Sequence, residues 1–280
     1  ATMAMGASAV SGIPWSFTAH RYDVHLNNLL DLKLRSAKFG RFIARYMLDA
    51  ALRLVGPEAA AHAIVVHMGV RVPPAIAPQS RRPTPVVVCP GRLIPVKGQL
   101  RYLIDAAAEL AARGLAFELW LVGDGPDGPA IAARIRELGL ERQVRMLGTV
   151  PHAELLRYYR DGAVDCVALP SVDLGNGVHE GLSVALIEAM AYGIPAVSTP
   201  TGGLAELLDR SAGLLVPERD PGALADALGA LLTSEDLRAR LGLAGRRRIE
   251  QEFDADAIAA ELVRRFEGER RTVPAPAMAR

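Results

Sequence analysis

The sequence has 280 residues, of which half are hydrophobic and only 5% aromatic, and its formal net charge is +1. This length allows one large or two small domains, and a core with so few aromatic residues must consist mainly of Ala, Val, Leu and Ile. The small net charge gives no indication of a nucleic-acid partner. No apolar run reaches the roughly 18 residues that a membrane-spanning helix needs, and the first residues lack a signal-peptide pattern. We therefore expect a cytoplasmic protein whose membrane contact, if any, is peripheral at the inner membrane face.

The first 75 residues contain too few predicted elements for a complete domain. A strand is predicted at 13–18, a basic amphipathic helix over 29–55 and a second strand within 62–70. Because two strands and a helix do not close a sheet core, residues 1–75 are interpreted as a partial lobe that a partner or a further N-terminal portion completes. The basic helix fits either an ordinary solvated face or a peripheral contact with an anionic membrane or a lipid-linked acceptor.

A proline-rich linker at 76–84 precedes a regular alternation of strands and helices. Apolar strands are predicted at 86–89, 117–122, 144–147, 164–169, 195–198 and 213–216. Amphipathic helices are predicted at 98–113, 127–139, 152–160, 180–192, 203–208, 220–232, 235–250 and 254–267. Apolar strands that alternate with helices indicate parallel βαβ units with right-handed crossovers. The fold class is therefore α/β, with a doubly wound, Rossmann-like parallel sheet.

Two loops at the predicted carboxyl ends of strands carry candidate ligand-binding residues, because doubly wound sheets bind ligands at that edge. Arg92 and Lys97 bracket a loop before a helix, where an arginine can clamp phosphate oxygens and a lysine adds a point charge. Gly123 and Gly125 allow a backbone to approach a ligand closely. Taken alone, each loop fits an ordinary solvated loop or turn equally well.

The stretch from His179 to Gly203 carries two carboxylates, Glu180 and Glu188, eight residues apart. If 180–192 is one helix, they lie roughly 12 Å apart along its axis, which is farther than the roughly 5–9.5 Å of a glycosidase pair. That spacing suits two parts of one extended ligand. The helix N-terminus at 181–183 offers free N–H groups and a positive dipole end to an anion such as a diphosphate.

Other motifs are missing from the sequence, and their absence disfavours several classes of enzyme. There is no G-x-G-x-x-G after the strand at 86–89, no P-loop and no G-x-S-x-G elbow, which disfavours a dehydrogenase, a nucleoside triphosphatase and an α/β-hydrolase. The spacing of potential ligands predicts no metal site. Cys89 and Cys166 lie in apolar strands and are interpreted as buried, reduced thiols.

Seven segments between residues 85 and 235 are each weak motifs, but their order and spacing together are a specific family signature. They are G-R-L-I-P-V-K-G at 91–98, V-G-D-G-P at 122–126, P-S at 170–171, E-G-L-S-V-A-L-I-E-A-M-A at 180–191, G-I-P-A-V-S-T at 193–199, T-G-G-L-A-E at 201–206 and G-L-L-V-P at 213–217. With I-P-W-S-F-T-A-H-R-Y-D at 13–23 and V-V-H-M-G-V at 65–70, the chain resembles the retaining, GT-B-fold glycosyltransferases of the large group-one family, with a truncated N-terminal lobe.

The resemblance implies a division into a partial acceptor-side lobe at 1–75 and a nucleotide-sugar-binding domain at 85–250. Residues 251–268 would form a helix that crosses towards the N-terminal lobe, and 269–280 a tail. The substrates would be a nucleotide-diphosphate sugar and a glycan or lipid-linked acceptor, with no metal or other cofactor. The reaction would be sugar transfer with retention, in cell-surface polysaccharide or glycolipid synthesis.

The resemblance also implies roles for individual residues. Arg92 and Lys97 would hold the donor diphosphate, and Glu188 would bond the ribose hydroxyls. Glu180 would face the donor sugar, and His20 would reach that sugar from the opposite lobe. The remaining donor-binding positions are Gly123, Gly181 and Leu182.

Two alternatives from other functional classes remain open at the level of the sequence. The chain could be a nucleotide-sugar-binding module without turnover, or a half-enzyme that needs a partner. It could also be a sugar-nucleotide epimerase, because such enzymes can share this architecture.

Overall fold

A computed structural model describes residues 1–78, 82–175 and 177–267. Part of the predicted linker at 76–84, the last residue of the predicted helix at 251–268 and the whole predicted tail at 269–280 lie outside the described residues. Within the described ranges, the structure contains two separate parallel sheets, one of three strands and one of six.

The N-terminal part is built around the three-stranded sheet. Its elements are α1 (Thr2–Ser11), β1 (Ser16–Ala19), α2 (Arg21–His25), α3 (Leu30–Ser36), β2 (Phe39–Phe42), α4 (Arg45–Val55), a 3₁₀ turn (Pro57–His62) and β3 (Ala63–Val65). The strands run parallel in the order β1-β2-β3, so β1 and β3 form the edges. The predicted strands at 13–18 and 62–70 correspond to β1 and β3, with shorter and shifted bounds.

The prediction of one helix over 29–55 is wrong, because strand β2 interrupts it. Helix α3 ends at Ser36, and Ala37 already has extended backbone angles. Phe39 and Phe42 are buried in the strand, and β2 pairs with a strand on either side. The apolar residues here also fit a helical spacing, which led to the prediction of a helix. The strands that pair with β2 lie more than 20 residues away, and a local pattern does not reveal them.

The second part is a six-stranded sheet flanked by helices. Its strands are β4 (Val86–Pro90), β5 (Glu118–Val122), β6 (Val144–Gly148), β7 (Cys166–Leu169), β8 (Ala196–Ser198) and β9 (Leu214–Leu215). Its helices are α5 (Ile104–Ala112), α6 (Gly128–Glu137), α7 (His152–Arg160), α8 (Val184–Ala191), α9 (Leu204–Ala212), α10 (Pro221–Thr233), α11 (Glu235–Glu252) and α12 (Ala255–Glu267). All strands are parallel in the order β6-β5-β4-β7-β8-β9, which confirms the predicted doubly wound α/β class.

Each sheet has its own hydrophobic core. All five residues of β4 are buried, as expected for a central parallel strand covered by helices on both faces. Cys89 and Cys166 are buried and unbridged, and burial raises the pKa of each thiol to about 12. Met68 packs against both cores, so it lies where the two parts meet.

The C-terminal helices connect back to the N-terminal sheet. Val70 donates its N–H to the Phe253 carbonyl at 2.9 Å and accepts from the Ala255 N–H at 3.0 Å. The rings of Phe39 and Phe266 lie 5.2 Å apart. Helix α12 therefore contacts the three-stranded sheet. The helix that precedes it in the chain, α11, packs beside the six-stranded sheet.

Candidate active site

A cleft of about 370 Å³ separates the two sheets. It is called the interlobe cleft below. Six of the eight predicted site residues line it: His20, Arg92, Lys97, Glu180, Gly181 and Leu182. His20 comes from the N-terminal part and the other five from the six-stranded part, so the cleft is assembled from both.

Lys97 and Glu180 face each other in this cleft. The Lys97 Nζ donates to Glu180 Oε2 at 2.5 Å, and each side chain is only about 15% exposed. Lys97 ends a short 3₁₀ turn after β4, and the chain then turns at Gly98 with φ +71°. A Cβ at Gly98 would collide with the Pro170 carbonyl oxygen, so glycine is needed to bring this turn against the end of β7.

Glu180 precedes helix α8 rather than belonging to it, which corrects the predicted helix at 180–192. The helix begins at Val184, where Ser183 is the N-cap and accepts a hydrogen bond from the Leu186 N–H at 3.4 Å. The axial spacing of roughly 12 Å, which assumed one helix, therefore does not apply to Glu180 and Glu188. Gly181 and Leu182 lie in the non-helical segment that leads into the helix.

The glycine-rich turn at 201–203 packs against this segment. The Gly203 N–H donates to the Gly181 carbonyl at 2.8 Å. A Cβ at Gly202, which has φ +56°, would collide with the Glu180 carbonyl oxygen. The turn fixes the backbone of 180–182. Its close contacts require glycine at 202 and 203, because a Cβ at either position would lie too close to a carbonyl oxygen of that backbone.

Gly123 lines a second concavity beside Arg92, and Glu188 is not among the described residues that line it. This hollow, here called the β4–β5 hollow, has a volume of about 370 Å³. Its lining includes Gly91, Arg92, Gly123, Val150, His152 and Leu155. Because Arg92 also lines the interlobe cleft, the two spaces are adjacent and can hold one extended ligand.

Glu188 is paired with a residue that the sequence analysis did not single out. The His152 Nε2–H donates to Glu188 Oε1 at 2.7 Å. The Glu188 side chain is 16% exposed and that of His152 is 65% exposed. His152 is the first residue of α7, close to the carboxyl end of β6, so the strand-end rule could have found it.

His20 stands at the start of helix α2 and is exposed. Its N–H donates to Asp23 Oδ2 at 2.9 Å, so Asp23 caps the helix and fixes the backbone of His20. The next residue, Arg21, donates to the carbonyl of His179 across the cleft. The short helix thereby brings His20 to the side of the cleft opposite Lys97.

Glu206 joins the two parts through two hydrogen bonds. Its Oε2 accepts from the Arg45 N–H at 2.7 Å and its Oε1 from the His67 Nε2–H at 2.7 Å. Burial by itself raises the pKa of Glu206, but the hydrogen bonds from His67 and Arg45 outweigh burial and lower that pKa. Glu206 lies in the T-G-G-L-A-E segment, yet the sequence did not indicate these partners.

The described residues form neither a metal site nor a membrane-spanning helix. No group of three or more His, Cys, Asp or Glu side chains is placed to hold a metal ion. No described helix is both long enough and apolar enough to cross a bilayer.

Comparison with known proteins places this arrangement in a family. The family "Glycosyl transferases group 1" matches residues 84–234, just over half of the chain. The chain belongs to the group 1 glycosyltransferases. Its fold is also that of GT-B enzymes: the chain is similar to Anabaena Alr3699/HepE in complex with UDP, with a TM-score of 0.79 and 22% identity over 95% of this chain and 75% of that one. Sucrose-phosphate synthase from Thermosynechococcus elongatus gives 0.72 and 24% over 94% of this chain and 70% of that one.

Curated group 1 relatives are closer in sequence but much longer. The putative colanic acid biosynthesis glycosyltransferase WcaL of Escherichia coli (strain K12) is 37% identical over 63% of this chain and 43% of its own length. The amylovoran biosynthesis glycosyltransferase AmsK of Erwinia amylovora is 37% identical over 58% of this chain and 40% of its own length. The chain spans less than half the length of these relatives.

Proposed function

We propose that this group 1 chain transfers a sugar from a nucleotide-diphosphate donor to a glycan or lipid-linked acceptor with retention of configuration. One observation carries the proposal. The cations Arg92 and Lys97, the carboxylate Glu180 and His20 from the opposite part line the interlobe cleft, and Glu188 pairs with His152, which lines the adjoining hollow. Relatives named as GDP-mannose-dependent mannosyltransferases and a structural neighbour bound to UDP support a nucleotide-linked donor.

In the proposed complex, the diphosphate lies beside Arg92 and Lys97 at the junction of the two concavities. The backbone N–H groups of Gly181 and Leu182 add donors at the entry to helix α8, where the helix dipole favours an anion. Lys97 can leave Glu180 for a phosphate oxygen, which frees the Glu180 carboxylate for the sugar hydroxyls. Preorganised donors of this kind stabilise the charge that develops on a leaving diphosphate.

The nucleoside would occupy the β4–β5 hollow, with its ribose hydroxyls on Glu188. A charged carboxylate is a strong acceptor for two neighbouring hydroxyls. His152 already donates to Glu188 and would hold the carboxylate oriented while the ribose binds. Gly123, which has φ +136° and lies against the Gly91 backbone, keeps side-chain atoms out of the hollow.

The proposed reaction needs no protein nucleophile. The acceptor hydroxyl oxygen forms the new bond to the anomeric carbon on the face from which the diphosphate departs. The bond between that carbon and the phosphate oxygen breaks, and the leaving nucleoside diphosphate keeps its electron pair. The proton of the acceptor hydroxyl passes to a phosphate oxygen of the leaving group. Glu180 and His20 orient the sugar, and the carboxylate also stabilises positive charge on its ring.

The lobe boundaries, the cellular location and the partners belong to the same proposal. We assign 1–75 to a partial acceptor-side lobe, 85–250 to the donor domain and 251–268 to a helix between them, which is supported by the two separate cores. We place the protein in the cytoplasm, at the inner membrane face when it meets a lipid-linked acceptor through 29–55. An additional strand from a partner could pair with the edge strand β1.

Radiolabelled sugar transfer tests the proposal. The purified chain is incubated with a panel of nucleotide sugars, selected by thermal shift, and with glycan and lipid-linked acceptors. Transfer with retention supports the proposed reaction. Nucleotide binding without transfer would favour the binding module or half-enzyme, and conversion of the donor sugar without any acceptor would favour an epimerase. If no nucleotide sugar raises the melting temperature of the chain, the result would contradict the transferase, the binding module and the epimerase alike.

A further inference from the structure

A second apolar cavity opens beside the interlobe cleft, between α2, α4 and the segment before α8. It is called the side cavity below and has a volume of about 310 Å³. Its apolar walls come from Val24, Met47, Ala50 and Leu54. Helix α4 supplies three of these four side chains, so the cavity belongs mainly to the N-terminal part.

The charge of the side cavity has one sign. Arg21, Arg53, His25 and His179 line it, and the described lining residues include no Asp, Glu, Asn or Gln. Among the described residues, Arg53 has no carboxylate within ion-pair distance, and its side chain is exposed at the rim. Arg21 uses one guanidinium nitrogen on the His179 carbonyl and retains further N–H donors.

The composition of the lining selects a class of ligand. A free glycan offers many hydroxyls, which proteins usually bind through carboxylates and side-chain amides, and the described residues of this lining supply neither. Apolar walls suit a hydrocarbon chain, and arginines favour a phosphate by charge and by paired N–H donors. The Tyr46 ring also lines the cavity, and burial raises its pKa to about 12, so the phenol stays protonated.

The side cavity continues into the interlobe cleft. Arg21, Met47 and His179 line both spaces. The residue after His179 is Glu180, whose carboxylate is held by Lys97. A ligand anchored in the side cavity could therefore extend its other end to the position where the donor sugar is proposed to react.

We propose that the side cavity binds the acceptor, and that the acceptor is an anionic amphiphile in which the sugar is carried on a lipid phosphate. The first part of the lipid chain lies on Val24, Ala50 and Leu54, and the phosphate lies between Arg21 and Arg53. This inference rests on the proposed glycosyl transfer and adds the chemical class of the acceptor to it.

Direct binding to the full chain tests the inference without requiring turnover. Isothermal titration with dodecyl phosphate below its micelle concentration is compared with dodecyl maltoside and with inorganic phosphate. We expect saturable binding of dodecyl phosphate and at least about tenfold weaker binding of each comparison ligand, because each lacks one of the two interactions. Equal binding of dodecyl maltoside would overturn the assignment of a phosphate site.

Two variants locate the binding in the side cavity. Ala50→Trp fills the cavity, and Ala133→Trp adds the same side chain at an exposed position on α6. Arg53→Gln removes the rim charge, and Arg142→Gln removes an exposed charge far from the cavity. We expect Ala50→Trp and Arg53→Gln to weaken dodecyl phosphate binding by about tenfold or more and the two control variants to leave it unchanged.

Nucleotide binding separates this inference from the proposed function. UDP and GDP are titrated into each variant, and we expect the affinity of the better ligand to be the same in all of them, which also shows that each variant is folded. Nucleotide binding without any dodecyl phosphate binding would overturn the acceptor inference alone. Loss of both in the unaltered chain would overturn the proposed function as well.

Discussion

The two sheets differ in that only the six-stranded sheet has strands buried at every described position. Strands β4, β7 and β8 are buried at every position, and their sequences are almost entirely apolar. Strands β1 and β3 contain half-buried or exposed positions, and β2 includes Arg41, which donates to the carbonyls of Val66 and His67. A strand covered on both faces can be recognised from its own residues, whereas β2 is a strand only because neighbours on both sides pair with it.

The strongest test of this difference is the replacement of a glycine in each sheet region. At Gly123, a Cβ would collide with the Gly91 backbone and φ is +136°, so Gly123→Ala should destabilise the six-stranded part by about 3 kcal/mol or more. At Gly40, a Cβ would lie 2.7 Å from Leu34 Cδ2 and 2.8 Å from Phe17 Cζ. Those side-chain ends can move, so Gly40→Ala should cost about 1–2 kcal/mol.

Urea unfolding followed by tryptophan fluorescence measures both effects. The two tryptophans separate the regions, since Trp15 belongs to the smaller core and Trp120 to the larger one, and variants that keep one of them report on one region. Gly6 lies in α1 with no atom within 4 Å of a Cβ, so Gly6→Ala serves as the control. A Gly40 variant that is less stable than the Gly123 variant would contradict the comparison.

The same contrast explains which parts of the site the sequence predicted. Loop motifs at strand ends pointed to Arg92 and Lys97, because parallel strands bring their carboxyl ends to one edge, and the 180–191 segment pointed to Glu188. The start of α8 was predicted four residues too early, since a run of helix formers follows Gly181 and Ser183 was not recognised as the N-cap. What holds Glu180 outside the helix is the turn at Gly202 and Gly203, and no local pattern encodes that contact.

Glu188→Ala tests the nucleotide side of the six-stranded part. Removal of this carboxylate should weaken binding of the preferred nucleoside diphosphate by about 1.5–3 kcal/mol, because a charge-assisted hydrogen bond to the ribose is lost. Isothermal titration measures the change. Glu137→Ala removes a carboxylate that is 66% exposed on α6 and should leave the affinity unaltered. Unchanged affinity of the Glu188 variant would remove the ribose assignment.

Partner side chains from distant segments were the part of the site that the sequence did not reveal. His152 and Glu188 are 36 residues apart, and His67 and Glu206 are 139 apart. A motif shows that a carboxylate lies near a strand end but not which donor will face it. These pairs depend on how the helices and the two parts pack, which is determined by many contacts at once.

Glu206→Gln tests the contact between the two parts. The variant should lower stability at pH 7 by about 1–2 kcal/mol, since the carboxylate caps α4 and binds His67. Because the folded-state pKa of Glu206 lies below its ordinary value of 4.5, this contribution is complete above pH 4.5 and is lost as the pH falls through the lowered pKa. Urea unfolding at several pH values should therefore show the two proteins converging in acid. A difference that persists unchanged at low pH would exclude the carboxylate as its cause.

The smallest effects are expected within 29–55, where two arginines show why this segment is not one amphipathic helix. Arg41 is half-buried in β2 and donates to two carbonyls, so Arg41→Gln should cost about 1 kcal/mol. Arg35 lies on α3, is 52% exposed and pairs with Asp31 and Glu58, so Arg35→Gln should change stability by less than about 0.5 kcal/mol.

Flotation with anionic liposomes adds a second measurement on the same two variants. If the segment meets a membrane surface, Arg35→Gln should weaken salt-sensitive binding while Arg41→Gln leaves it intact, because only the exposed cation can reach the lipid phosphates. The absence of salt-sensitive binding in the unaltered chain would end the membrane interpretation and leave Arg35 as an ordinary surface charge.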